Sequence, residues 1–322
     1  MHDTTPMIYW LPPQHHEQAA YGEPRSSDER VDLAVIIVSW NVKSHALANI
    51  EGLLQSQGTV TAELIVIDNA SQDGTVEVVR QKYAEVRVIA NDHNAGFAGA
   101  NMQGMLAAHA RHCLLLNPDM RVEPDALQKT VEYLDAHPDV AVVGGRLASS
   151  QGGLVKSVRR FPDVWSQLLI ILKLPHLFPH VLDRYLYPDF NYEREQSVEV
   201  VRGSYFAIHE RAIEILGGLD TRYFIWFEEM DYCKRAIHHG FKVMYVPWIR
   251  ATDYVGRSFA QTKRFLSQQR MTKSMTQYFD VWHPWWQSRL ISLVRYIGLG
   301  ITWLADQWLT LRGIKEYHST KT

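Results

Sequence analysis

Cysteine is nearly absent: Cys113 and Cys233 are the only two in 322 residues. One lies in an apolar run and the other in a helical pattern, so neither a disulfide framework nor a thiolate metal site is expected, and a reducing cytoplasm fits. An excess of charge is missing too. The 33 Lys and Arg against 35 Asp and Glu leave a net charge of −2, which excludes a strongly basic chain that binds nucleic acid by bulk charge; no nucleic-acid partner is expected. No stretch reaches the roughly 18–20 uninterrupted apolar residues of a spanning helix. Residues 1–30, rich in Pro, His, Gln and charge, lack the basic flank and apolar run of a secretory signal and read as a mobile tail. There is no internal repeat, no flexible linker, and no G-x-G-x-x-G after the first apolar run, which disfavours a dinucleotide oxidoreductase.

What is present is alternation. Apolar runs at 33–39, 63–68, 86–90, 113–117 and 140–144 are separated by amphipathic stretches at 43–56, 74–84, 98–110 and 124–136. Runs that are apolar at nearly every position are buried on both faces, so the chain is expected to be α/β, with an open, mainly parallel sheet and helices on each side. In such sheets ligands sit beyond the carboxyl ends of the strands. Those ends are polar: Ser39-Trp40-Asn41, Asp68-Asn69, Asn91 and Asn117-Pro118-Asp119. Any one could be a helix cap or a turn; four together point to a site.

The individual stretches suggest roles. IDNASQDGT (67–75) puts Asp68 where it could bind a base or ribose, with Asn69 and Ser71 shaping the turn. NDHNAGFAGANMQG (91–104) places small residues, Gly96 and Gly99 among them, at a helix mouth suited to a diphosphate. In LLLNPDM (114–120), Pro118 stiffens the turn that presents Asp119, a hard oxygen ligand for Mg²⁺ or Mn²⁺ beside a diphosphate leaving group. FEEMD (227–231) sets Glu228, Glu229 and Asp231 just after Phe224, Trp226 and Phe227; these acids are either helix-start pairing or a general base whose pKa is raised by aromatic neighbours. Arg146, Arg159, Arg160 and Arg202 are candidate phosphate contacts, Arg202 first among them because it precedes Gly203 in the strand-like run 198–209.

Together VIIVSWN (35–41), IDNASQDGT, NAGFAGANMQG (94–104), LLLNPD, GGLDTRYFIWFEEMDYCKR (217–235) and Gly256-Arg257-Ser258 resemble the family 2 inverting glycosyltransferases of GT-A fold, and most of all the bacterial rhamnosyltransferases that use dTDP-rhamnose on lipid-linked glycans. The resemblance spans about residues 33–275. It implies that Ser39, Asn41, Asp68, Asn69, Asn94, Gly96, Asn117 and Arg202 serve the nucleotide sugar, and that Asp119 binds Mg²⁺ or Mn²⁺, with Asn117 in place of the first acid of an Asp-x-Asp. It further implies that Glu229 is the base, supported by Asp231 and Arg235. Two departures stand out. Glu229 replaces the usual Asp, and Asp253 stands where many relatives carry a His, either as a metal ligand or as a solvated loop acid with Arg257 serving phosphate instead. A non-catalytic nucleotide-sugar-binding or scaffolding subunit is the alternative.

The expected organisation is a tail (1–30), a glycosyltransferase domain (31–275, with a nucleotide-sugar half to 145 and an acceptor half from 146), and an amphipathic C-terminal region (276–322). In residues 288–311, Ser288, Ser292, Arg295, Thr302, Asp306 and Thr310 form a polar stripe on an otherwise apolar helix with several tryptophans nearby. Such a helix lies on a membrane surface, here the inner face of the cell membrane, or packs against a partner subunit such as a second copy of the chain. The apolar stretch at 164–182 adds to that surface or packs in the core.

Overall fold

The computed structural model describes residues 7–10, 30–254 and 264–311. Strands and helices alternate through the first half: β1 (Tyr9–Trp10), β2 (Val31–Ser39), α1 (Lys43–Leu54), β3 (Thr61–Asp68), α2 (Thr75–Lys82), β4 (Val86–Ala90), α3 (Gly96–Ala107), β5 (Ala110–Leu116), β6 (Met120–Val122), α4 (Ala126–Ala136) and β7 (Val140–Ser149). Next come β8 (Leu154–Val155), β9 (Val158–Arg159), α5 (Val164–Ile171), α6 (Asp183–Leu186), β10 (Gln196–Ser197), β11 (Val200–Val201), β12 (Tyr205–Ile208) and α7 (Glu210–Leu216). The chain closes with α8 (Glu228–His238), β13 (Lys242–Asp253), α9 (Arg264–Trp282) and α10 (Trp285–Leu311).

The main sheet runs β1-β3-β2-β5-β12-β7-β13-β10, with β4 on β3, β6 on β13 and β8 on β7. β4, β3, β2 and β5 are parallel, and the runs of β2, β3 and β5 are buried on both faces over most of their length, as in sheets covered by helices on each side. Side chains alternate between two cores. Leu33, Val35 and Ile37 of β2 pack with α1, α2 and α4, whereas Ala34 and Ile36 pack with α3, α7, α8 and the C-terminal helices. Each such branched side chain, fully buried, contributes about 1.5–3 kcal/mol. This is the GT-A arrangement of a mostly parallel sheet between helices.

Three features differ from the sequence reading. The strand-like run 198–209 is broken at Arg202-Gly203: β11 pairs with β9 in a separate two-stranded sheet, and β12 enters the main sheet antiparallel between β5 and β7. Part of the expected tail belongs to the sheet edge, where β1 pairs with β3, Ile8 is buried and its N–H donates to the Ser56 carbonyl; the rest of residues 1–29 lies outside the described residues, as do Gly256, Arg257 and Ser258. The apolar stretch at 164–182 is α5, which presents Val164, Leu168 and Ile171 to the core, followed by two 3₁₀ turns that leave Leu177, Phe178 and Val181 exposed.

Helix α10 is turned the other way from a helix in water. Of its polar stripe, Ser288 and Thr302 are buried, and the Thr302 hydroxyl donates to the Gly298 carbonyl. Gly298 lies so close to α5 that a Cβ there would stand 2.5 Å from Ile171 Cγ2. Trp286, Leu293, Ile297, Leu304 and Trp308, spaced along one side, are all exposed. No described helix is long and apolar enough to cross a membrane.

Candidate active site

The polar strand ends meet at one edge of the sheet, around a solvent-open cleft. Its floor is the Asn117-Pro118-Asp119 turn. The Met120 N–H donates to the Asn117 carbonyl across Pro118, and that carbonyl also accepts from Asn49 Nδ2 on α1. Proline fixes the turn, and the side chain that follows is presented without further ordering. Asp119 directly precedes β6, which pairs antiparallel with the end of β13 so that Met120 is opposite Asp253. The Tyr254 N–H closes the join on the Asp119 carbonyl at 3.0 Å. Two acids 134 positions apart in sequence are thereby set side by side, both buried and both lining the cleft. Burial, and next the negative charge of Asp253, lift the Asp119 carboxyl above its ordinary range, against smaller opposing effects of His45 and Arg202. Asp253 is therefore no solvated loop acid; it ends a strand, with Arg202 Nη1 3.3 Å from its Oδ2.

Two repelling carboxylates form a donor set suited to a hard divalent cation. Among the described residues no group of three or more His, Cys, Asp or Glu could hold a metal. Mg²⁺ typically takes one or two carboxylates and completes its sphere with substrate phosphates and water, so the pair fits such an ion.

The nucleotide-side residues divide in two. Asn69, Asn94, Gly96 and Asn117 line the cleft. Asn69 is a local hub: its Oδ1 accepts from Asn91 Nδ2 and the Ala95 N–H, and its Nδ2 donates to the Gly96 carbonyl. Asn94 Oδ1 accepts the Gly96 N–H at the mouth of α3. Ser39, Asn41 and Asp68 are not among the lining residues. Ser39 and Asp68 are buried side by side in the β2–β3 register, with Asp68 Oδ1 accepting the Ser71 N–H. Asn41, at φ 52°, ties its loop to the next one through the Ser71 hydroxyl and the Gln72 N–H. Ser39 Oγ and Asp68 Oδ2 are both buried and have no hydrogen-bond partner among the described residues.

The opposite wall is an aromatic loop, Phe224-Ile225-Trp226, leading into α8. Trp226 and Phe227 both adopt left-handed conformations, at φ 64° and 70°; each costs on the order of 1–3 kcal/mol and persists only where surrounding contacts impose it. Those contacts are present. The Phe97 N–H donates to the Phe224 carbonyl at 2.7 Å and Ser274 Oγ of α9 to the Ile225 carbonyl at 2.9 Å, while Phe227 is buried against Tyr278. Gly96, at φ 79°, permits the approach: a Cβ there would stand 2.3 Å from the Phe224 carbonyl oxygen.

Glu229, in the first turn of α8, is half-buried and packs beside Gly203. A Cβ on Gly203 would touch Glu229 on one side and the cleft residue Phe97 on the other, at 3.7 and 3.8 Å. Burial raises the carboxyl pKa of Glu229, opposed in part by the positive charges of Arg202 and Arg159. Glu228 is raised further, by deeper burial and then by repulsion from Glu229. Arg202, which lines the cleft, is felt by both Asp119 and Glu229.

Asp231, expected to act in catalysis in support of Glu229, is buried and is not among the lining residues. Its carboxylate accepts from Arg235 Nε and Trp282 Nε1, both at 2.8 Å, and from the Tyr223 hydroxyl at 3.5 Å. The i, i+4 spacing from Arg235 and the tryptophan at the end of α9 make it a buried joint between helices. Arg146 is paired with Glu193, and Arg160 lies over the Tyr187 ring, so neither is a lining residue. Trp40, Phe224, Ser267 and Arg270 do line the cleft and had not been singled out as site residues. A polar strand end marked Trp40; no sequence signal marked the two residues of α9.

Comparison with known proteins follows this geometry. Residues 34–205 match Glycosyl transferase family 2. The succinoglycan biosynthesis protein ExoO of Rhizobium meliloti (strain 1021) is 32% identical over 154 residues, which are 47% of this chain and 43% of that protein. An N-acetylglucosaminyl-diphospho-decaprenol L-rhamnosyltransferase of Mycobacterium tuberculosis (strain ATCC 25618 / H37Rv) is 24% identical over 230 residues, 67% of this chain and 73% of that protein. The match thus spans less than half of the first relative and about three-quarters of the second. Among solved structures, the mannosyltransferase PcManGT from Pyrobaculum calidifontis, in complex with GDP-Man and Mn²⁺, superposes with a TM-score of 0.53 at 16% identity, covering 91% of this chain and 79% of that one. The likeness supports the fold. With more than half of its length matched, the chain belongs to glycosyltransferase family 2.

Proposed function

We propose that this chain transfers a sugar from a nucleoside-diphosphate donor to a hydroxyl group, with inversion at the anomeric carbon and with Mg²⁺ or Mn²⁺ bound. The observation that carries the reading is the pairing of Asp119 with Asp253 in a cleft whose Arg202 also faces Glu229. Asp119 and Asp253 would hold the cation, which would supply neutralising charge at the diphosphate. Asn69, Asn94, Gly96 and Asn117 receive the nucleotide sugar. Glu229, made more basic by burial, takes the proton of the acceptor hydroxyl. The acceptor oxygen forms its bond to the anomeric carbon from the face opposite the diphosphate. The old C–O bond breaks with its electron pair left on the phosphate oxygen, and no covalent intermediate is needed.

The preferred donor is dTDP-L-rhamnose and the preferred acceptor a lipid-linked glycan in cell-wall or surface-polysaccharide synthesis. The mycobacterial relative, named for rhamnose transfer to a decaprenol-linked sugar, supports this choice. A lipid-borne acceptor brings the enzyme to the inner face of the membrane, and the exposed apolar side of α10 supports that location. So does charge: residues 264–322 carry eight Lys and Arg against three Asp and Glu, in a chain of net −2, which suits anionic headgroups.

A thermal-shift screen of nucleotide sugars with and without Mn²⁺ identifies the donor. Glu229→Gln should then bind that donor as wild type does and fail to transfer the sugar. A Gln variant with full activity would refute the assignment of the base.

A further inference from the structure

We propose that Arg270 of α9 is a phosphate-binding residue of the cleft, separate from the cation carboxylates. It rests on the reading of the cleft as a nucleotide-sugar site and adds a ligand-binding role for a helix outside the residues 34–205 that match the family.

The guanidinium of Arg270 lies over the Phe224 ring, 4.2 Å from its centroid, and lines the cleft. A guanidinium carries its N–H donors in a planar fork, the geometry that takes two phosphate oxygens at once. Burial lowers the Arg270 pKa, and no carboxylate among the described residues offsets that burial. The other cleft arginine differs, since Arg202 pairs with Asp253.

The platform is held in place by the helix that carries the arginine. Ser274 Oγ, one turn after Arg270 on α9, pins the Ile225 carbonyl, and the Phe97 N–H pins that of Phe224. Ser267, one turn before Arg270, also lines the cleft and supplies a hydroxyl. The charges of the cleft are complementary to a metal-bound diphosphate: two carboxylates for the cation, and two guanidinium groups for phosphate oxygens.

A diphosphate reaches such a cleft from two sources, the sugar donor and a polyprenyl-diphosphate acceptor. The shared chemistry is the proposal; the experiment separates the sources. Titration calorimetry with Mn²⁺ present measures dTDP, and then farnesyl diphosphate with dTDP saturating, on wild type, Arg270→Ala and Arg270→Lys. Loss of a charge-assisted hydrogen-bonded contact weakens one of the two by roughly tenfold to a hundredfold in the Ala variant. Lys, a point charge without the stacked fork, restores part of it. Thymidine and farnesol, which carry no phosphate, bind all three proteins alike. Weakening of dTDP assigns Arg270 to the donor, and weakening of farnesyl diphosphate alone assigns it to the acceptor. If wild type binds a diphosphate and both variants bind it within twofold as tightly, the role of Arg270 is overturned. A wild-type protein that binds neither compound overturns the nucleotide-sugar reading along with it.

Discussion

Asp231 offers the sharpest test of how the site is supported, because its predicted effect is on stability although it sits two residues from the proposed base. Its carboxylate is buried and accepts from Arg235, Trp282 and, at longer range, Tyr223. Replacement by Ala removes the counter-ion of Arg235, whose side chain is 21% exposed, and breaking one half of a buried pair costs about 3–5 kcal/mol. The remaining N–H groups of Arg235 stay on the Leu216 and Gly218 carbonyls, which argues for the lower half of that range. Asp231→Asn keeps one acceptor and loses the charge, at a cost of about 1.5–3 kcal/mol; Trp282→Phe loses one neutral-donor bond to a charged group, at about 1–3 kcal/mol. Since both partners share one carboxylate, the double variant Asp231→Ala/Trp282→Phe should cost less than the sum of the single ones. Urea unfolding followed by tryptophan fluorescence and circular dichroism measures each as a shift in midpoint at constant slope. An Asp231→Ala protein within about 0.5 kcal/mol of wild type, the range of ordinary surface substitutions, would refute the joint.

Gly96→Ala should be severe at both levels. The new Cβ meets the Phe224 carbonyl in a left-handed conformation, so strain and a broken Phe97–Phe224 bond together cost about 2–4 kcal/mol; denaturation that shows no loss would contradict the close approach. Transfer activity should rise with pH as Glu229 ionises, and because burial raises its pKa, the acid limb should lie above the ordinary glutamate value of about 4.3. Arg159 stabilises the Glu229 anion, so Arg159→Gln should move that limb to higher pH; no shift, or one to lower pH, in the rate profile would count against Glu229 as the titrating group.

Much of the fold is legible in the sequence because β2, β3 and β5 are buried on both faces over most of their length, so that their runs are apolar at nearly every position. The same holds for Asn117-Pro118-Asp119, where proline marks a stiff turn at a strand end. Legibility ends where long-range pairing decides. Nothing local puts Asp253 beside Asp119; the β6–β13 ladder does that across more than 130 residues. Arg202-Gly203 interrupts what reads as one strand, since β11 and β12 pair in different sheets. Left-handed Trp226 and Phe227 are invisible because non-glycine residues take that conformation only under tertiary constraint. Arg270 reads as an ordinary arginine on an amphipathic helix until Phe224 is brought beneath it. On α10 the polar stripe is plain in the sequence, but its direction follows from packing against α5 and α9, which no periodicity encodes.

The central claim is that Asp119 and Asp253 together form a cation site that serves a nucleoside diphosphate. Electron paramagnetic resonance of free Mn²⁺, titrated with protein in the presence of dTDP, measures it directly. Wild type should remove Mn²⁺ from solution only weakly alone and far more strongly with the nucleotide, while Asp119→Asn and Asp253→Asn should each lose that nucleotide-dependent uptake. Equal uptake by wild type and both variants would contradict the account.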